Sequence, residues 1–232
     1  MKIKKELKSC QEILEILKSK QSTENMAGMS RFGINVDNAY GVTVKVIKEI
    51  AKTLPQNHQL ADELWNSGIH EARILSSLVD EYDKLTEEDL ERKVLDFDSW
   101  DVCDLTCNNL FVYTPFCEKK IFEWADRDEE FVKRAAFVLI ACAAVHRKDW
   151  ENEKFTSFLT LVGKYINDER NFVKKAVNWA LRGVGKKNLY LNSICLDFIE
   201  KYAFETSKTA RWILSDARRE LTNPKILMRI KP

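Results

Sequence analysis

Residues that interrupt helices are scarce in this sequence. Four prolines and seven glycines are spread over 232 residues, while Leu, Lys, Glu and Ala abound. That composition favours an all-helical chain. Long apolar runs are missing too, since the longest, 135–145, is too short to span a bilayer. The three histidines, His58, His70 and His146, are scattered. Cys103 and Cys107 stand one helical turn apart with no second Cys or His pair near them, so no metal site is expected. No glycine-rich phosphate loop of the Walker or dinucleotide-binding type occurs.

Nor do the six cysteines (10, 103, 107, 117, 142 and 195) form a disulfide-like framework. They sit in helical or apolar patterns, which gives a Cys–His nucleophile no support. The start, Met1-Lys2-Ile3-Lys4-Lys5-Glu6, leads into an amphipathic pattern rather than a secretion signal. The expected setting is a reducing cytoplasm.

Charge is abundant and balanced, with 37 basic and 36 acidic side chains, but it is unevenly placed. From Arg170 onward 14 Lys/Arg face 5 Asp/Glu, a net of +9, whereas the preceding 169 residues carry −8. A polyanionic partner for the basic part and an ordinary solvated surface both fit this asymmetry.

Apolar periodicity predicts a succession of helices. The first covers 3–20. Residues 21–41 read as a helix interrupted by a turn and ending in a loop, and 42–54 as a helix stopped by Pro55. Helix pairs follow: 59–67 with 70–81, a helix from Thr86 to Phe97 with the one at Trp100, 115–126 with 129–147, 150–166 with 169–185, and 189–202 with 207–221. Thr86 and Asp89 form a capping box. The whole is read as one domain, with capping helices at 1–58, stacked helix pairs at 59–222 and a tail at 223–232. Asp128-Glu129-Glu130-Phe131-Val132-Lys133-Arg134-Ala135 echoes 168–176, and Phe131 and Phe172 are 41 positions apart. A weaker echo joins 72–75 with 210–214. Such a period is that of HEAT-like arrays, a curved α–α superhelix of antiparallel helix pairs whose second helices line one side.

Two stretches stand out chemically. In Ser99–Leu110, Asp98 or Ser99 caps a helix, Asp101 sits in its first turn, and Trp100 and Asp104 share a face. In 171–186, Phe172, Val173, Ala176, Val177, Ala180, Leu181 and Val184 form an apolar stripe. Lys175, Asn178, Trp179, Arg182 and Lys186 form the opposite face, a basic one with an aromatic in it. Lys133 and Arg134 are the repeat equivalents of Lys174 and Lys175. Arg73, Asp104, Arg134, Lys175 and Arg211 fall at one residue per repeat, which predicts a cationic groove around one carboxylate.

These residues resemble a known family. The segments 26–34, Leu64-Trp65 with His70-Glu71-Ala72-Arg73, Asp98-Ser99-Trp100-Asp101-Val102-Cys103-Asp104, 130–135 and 171–182 are similar to the AlkD-like DNA alkylation repair proteins over nearly the whole chain. The resemblance implies a HEAT-like solenoid around duplex DNA and a glycosylase that releases cationic N3- and N7-alkylpurines. It implies Trp100 and Trp179 against the lesion's deoxyribose, Asp104 as the catalytic carboxylate, and Arg134 and Arg182 on the backbone. Met29 stands where the family pattern has Tyr, and Cys142 where it has Lys. That removes a polar aromatic from the implied site and a cation from the implied groove.

The expectation is therefore a monomeric, cytoplasmic, nucleoid-associated glycosylase without cofactor, metal or membrane, acting on duplex DNA that contains alkylated purines. Its DNA-contacting set is Arg73, Lys133, Arg134, Lys175, Arg182, Lys186 and Arg211. A HEAT-like module that recognises DNA without cleaving it, and a solenoid that docks an acidic protein, are the competing expectations.

Overall fold

A computed structural model describes residues 5–230. The described residues form α-helices and one 3₁₀ turn, and the chain divides into two compact units, Met1–Thr114 and Pro115–Pro232.

The first unit contains α1 (Cys10–Lys18), α2 (Thr23–Arg31), α3 (Val44–Thr53), α4 (His58–Asn66), α5 (His70–Val79), α6 (Glu87–Leu95), α7 (Trp100–Asn109) and the 3₁₀ turn Phe111–Tyr113. The helix expected from residue 3 starts only at Cys10, because Ser9 and Glu12 close a capping box there. Ile3 lies outside the described residues. Thr86 and Asp89 form the expected box at α6. The helix read from Val42 begins instead after Thr43, whose hydroxyl caps α3. α5 packs between α3 and α7, with α4 against its other side.

The second unit contains α8 (Cys117–Ala125), α9 (Glu130–His146), α10 (Asn152–Tyr165), α11 (Asn171–Gly185), α12 (Leu189–Lys201), α13 (Lys208–Leu221) and the short α14 (Pro224–Leu227). The second helices of the pairs, α9, α11 and α13, pack side by side, and α8, α10 and α12 cover them. α9 is apolar nearly all round because it is enclosed: every residue from Val132 to Ala144 is buried. α11 approaches it closely at Gly183, where an added Cβ would meet the Ala141 backbone at 3.1 Å. No helix among the described residues is long and apolar enough to cross a membrane.

The repeat period is written in the hydrogen bonds. In the second unit, bonds between neighbouring helix pairs join residues 34 to 42 positions apart, such as Arg170 to the Asp128 carbonyl, Arg134 to the Phe172 carbonyl and Asn188 to Asn152. In the first unit many such bonds span fewer positions, 23 to 32, as in Arg73 to the Asp96 carbonyl, Trp65 to Asp96 and Arg92 to Asp62. The fold is all-helical and HEAT-like, with a shorter repeat in the first unit than in the second.

Five cysteines, 103, 107, 117, 142 and 195, are buried, and Cys10 is partly exposed. Burial pushes the thiols of Cys117 and Cys195 up to about 12. A chromogenic disulfide reagent is expected to titrate only Cys10 in the native protein. Even that reaction should be slow, because partial burial and then the charge of Glu63 raise its pKa. All six thiols should react after unfolding.

Candidate nucleic-acid interface

In the first unit, α2, the loop after it, α5 and α7 enclose a cleft of about 760 Å³. Trp100 and Asp104, one turn apart on α7, both line it, as do Met29, Phe32, His70 and Asp101. The start of α7 differs from the expected cap. Ser99 is the N-cap residue, yet its hydroxyl makes no bond to its own helix and accepts instead from the Asn35 amide at 2.9 Å. Asp98 accepts from the Asn35 side chain at 3.0 Å. The indole of Trp100 donates to the Phe32 carbonyl at 3.0 Å. These bonds tie the far wall of the cleft to α7. That wall includes α2, which has no buried residue of its own.

Two polar groups beneath the cleft carry more of its architecture than their sequence context suggested. Glu71 is fully buried, and its carboxylate accepts from the main-chain amides of Tyr40, Gly41 and Val42. Gly41, at φ +74°, takes a left-handed conformation there that a β-carbon would oppose. His70 Nε2 meets Asp101 Oδ2 at 2.9 Å, with the imidazole only 5% exposed. Burial alone would lower the His70 pKa. The Asp101 hydrogen bond and charge, joined by Glu71 and Asp98, more than offset it and raise the pKa above the ordinary 6.5. A residue separation equal to one repeat, 31 for His70–Asp101 and 29 to 31 for Glu71 and its amides, is the signal that could have found both.

The raised His70 pKa fixes a pH dependence. Protonated His70 binds better in the folded state, so its contribution is complete below the unfolded imidazole pKa and is lost as pH rises through the higher folded value. The melting temperature of the wild type should therefore fall across that window relative to His70→Asn, followed by circular dichroism.

In the second unit the residues expected to bind DNA separate into two groups. Lys175 and Arg211 are exposed on α11 and α13, without a hydrogen bond or ion pair among the described residues. Trp179 is half-buried on α11, off the apolar stripe. Arg182 pairs with Asp216 and Glu220, and Lys186 with Glu220 at 2.6 Å. These two remain at the surface with their charge partly neutralised.

The other group is internal. Lys133 is 3% exposed, donates to the Ala125 carbonyl and lies 3.7 Å over the Tyr165 ring. Arg134 is 5% exposed and donates to the Phe172 carbonyl. Asn178, expected on the basic face, is buried and donates to the Ile213 carbonyl, because that flank of α11 faces α13. Arg73, in the first unit, donates to the Asp96 carbonyl and stacks over Trp65. Helical spacing put these side chains on a flank read as open and could not show that a neighbouring helix covers it. Cys142 is 2% exposed, so in this chain it packs the interior of α9 and does not line a groove.

Comparison with known proteins agrees with this architecture. No curated protein matches the sequence. One solved structure shares the fold with a TM-score of 0.77 at 17% identity, covering 91% of this chain and 95% of its own. It is described as representing a new family of proteins related to the HEAT-like repeat DNA glycosylases with affinity for branched DNA structures. The family profile described as DNA alkylation repair enzyme matches residues 13–221. This chain belongs to the DNA alkylation repair enzyme family.

Proposed function

We propose that this protein is a DNA glycosylase that releases positively charged N3- and N7-alkylpurines from duplex DNA. The observation that carries the reading is the pairing of Trp100 and Asp104 on one face of α7, at the edge of an open cleft, in a member of an alkylation repair family. An alkylated purine that already bears positive charge needs little acid catalysis to leave. The electron pair of the glycosidic bond departs with the base and cancels that charge. The barrier lies in the oxocarbenium-like sugar left behind, which a fixed carboxylate and the negative faces of indoles stabilise. Asp104 is the carboxylate; it also orients the water that adds to the sugar and takes up the proton that this water loses as its oxygen bonds to the sugar carbon. Trp100, on the same face of α7, is the indole beside it.

Affinity comes from cations at the surface: Lys175, Arg211, Arg182 and Lys186. Binding of any sequence should weaken linearly in log–log form with salt, by about 0.9 per phosphate neutralised. Lys133 and Arg134 support this surface from within, holding main-chain carbonyls of neighbouring helices. The test is base release: purified protein incubated with methylated duplex DNA, with free 7-methylguanine and 3-methyladenine detected by mass. Absence of free base at protein excess would overturn the reading.

Two observations favour a second reading, DNA recognition without cleavage. Met29 lines the same cleft as Asp104 and offers no hydroxyl where the family pattern has Tyr. The structural neighbour is named for affinity to branched DNA rather than for catalysis. That reading predicts salt-sensitive DNA binding with no base released.

A further inference from the structure

The exposed side of α13 carries Lys208, Arg211, Trp212, Ser215 and Arg219; Lys208 and Ser215 stand three or four residues from Arg211 and Trp212, and Arg219 four beyond Ser215, which keeps them on one side of the helix. Trp212 is 41% exposed, while Ile213, Leu214 and Leu221 of the same helix are buried. The core therefore takes its anchors from the other side of the helix and makes little use of this indole. The ammonium of Lys174, from the neighbouring α11, lies 6.0 Å from the Trp212 ring centroid, and exposed Lys175 follows it in the chain. The nearby acids are already engaged: Asp216 pairs with Arg182 and Arg219, and Glu220 with Arg182 and Lys186. What remains is an exposed indole among uncompensated cations.

We infer that Trp212 is a stacking platform for an unpaired nucleotide, at a strand end, gap or flap, with Lys174, Lys175, Lys208 and Arg211 holding the flanking phosphates. The inference rests on the proposed DNA-binding function but concerns a different ligand class, single-stranded DNA beside a duplex. Cations alone do not separate single from double strands, because both present phosphates. An indole does: within a duplex the faces of the bases are covered by their neighbours, and only an end or an unstacked base offers one. Stacking of this kind is sequence-tolerant, since every base has a π-face.

The test compares two fluorescein-labelled probes at fixed salt by anisotropy: a blunt duplex, and the same duplex with a short single-stranded extension. Wild type should prefer the extended probe, and Trp212→Ala should reduce that preference about tenfold. Trp212→Phe keeps a stacking face and should retain most of it. Unchanged melting of both variants would separate the effect from misfolding. Equal preference for the two probes in wild type, or equal loss by Ala on both, would overturn the inference. Wild-type base release without any probe preference would defeat this inference alone. Failure of the wild type to bind either probe would also remove the DNA-binding reading beneath it.

Discussion

Asp104→Asn is expected to slow base release from methylated duplex DNA by about 100- to 1,000-fold, ~3–4 kcal/mol of transition-state stabilisation, while leaving DNA affinity within about twofold. The reason is the timing of charge. A neutral amide is nearly the shape of the carboxylate and preserves packing along α7, so binding of intact DNA changes little. The positive charge on the sugar exists only as the glycosidic bond breaks, and only then is the missing negative charge felt. Single-turnover release and anisotropy on the same protein preparation separate the two effects. Parallel losses in release and binding would assign Asp104 a positioning role. An undiminished rate would remove it from the chemistry.

Glu71→Ala should produce the largest loss of stability in the first unit, about 3–5 kcal/mol, or a fall in melting temperature of roughly 10 °C. The carboxylate is fully buried, and the variant leaves the Tyr40, Gly41 and Val42 amides without an acceptor. The damage should travel outward. The Tyr40 carbonyl receives the Ser22 amide at 2.8 Å and the Gly41 carbonyl the Asn25 side chain at 2.9 Å, so the loop that Glu71 fixes also fixes the start of α2. Urea denaturation gives the stability change. Faster amide exchange across 22–42 would trace it to the cleft wall. Glu71→Gln, which keeps an acceptor but not the charge, should fall between wild type and Ala.

Much of this was legible in the sequence. The helix pairs, the capping box at Thr86 and the echo between Phe131 and Phe172 follow from apolar spacing and cap chemistry. In the fold Phe131 and Phe172 meet as neighbours, with ring centroids 5.4 Å apart. What periodicity could not resolve was depth. It assigns a side chain to a flank of its helix and is silent on whether another helix covers that flank. Spacing put Lys133, Arg134 and Asn178 on a cationic flank read as open, and all three are buried. The polar scaffold under the cleft was hidden for a related reason. Glu71 and His70 look like ordinary polar residues at the start of a helix until their partners, one repeat away, are known.

The joints between repeats have a consequence for how such a chain tolerates change. In several of them a side chain donates to a main-chain carbonyl: Arg170 to Asp128, Arg134 to Phe172, Asn178 to Ile213 and Lys187 to Arg147. A carbonyl is present whatever residue bears it. Half of each joint is therefore indifferent to substitution, and only the donor must be kept. Substitution at these joints is constrained chiefly at the polar donors Arg134, Arg170, Asn178 and Lys187, whose acceptor positions keep their carbonyl under any change of side chain.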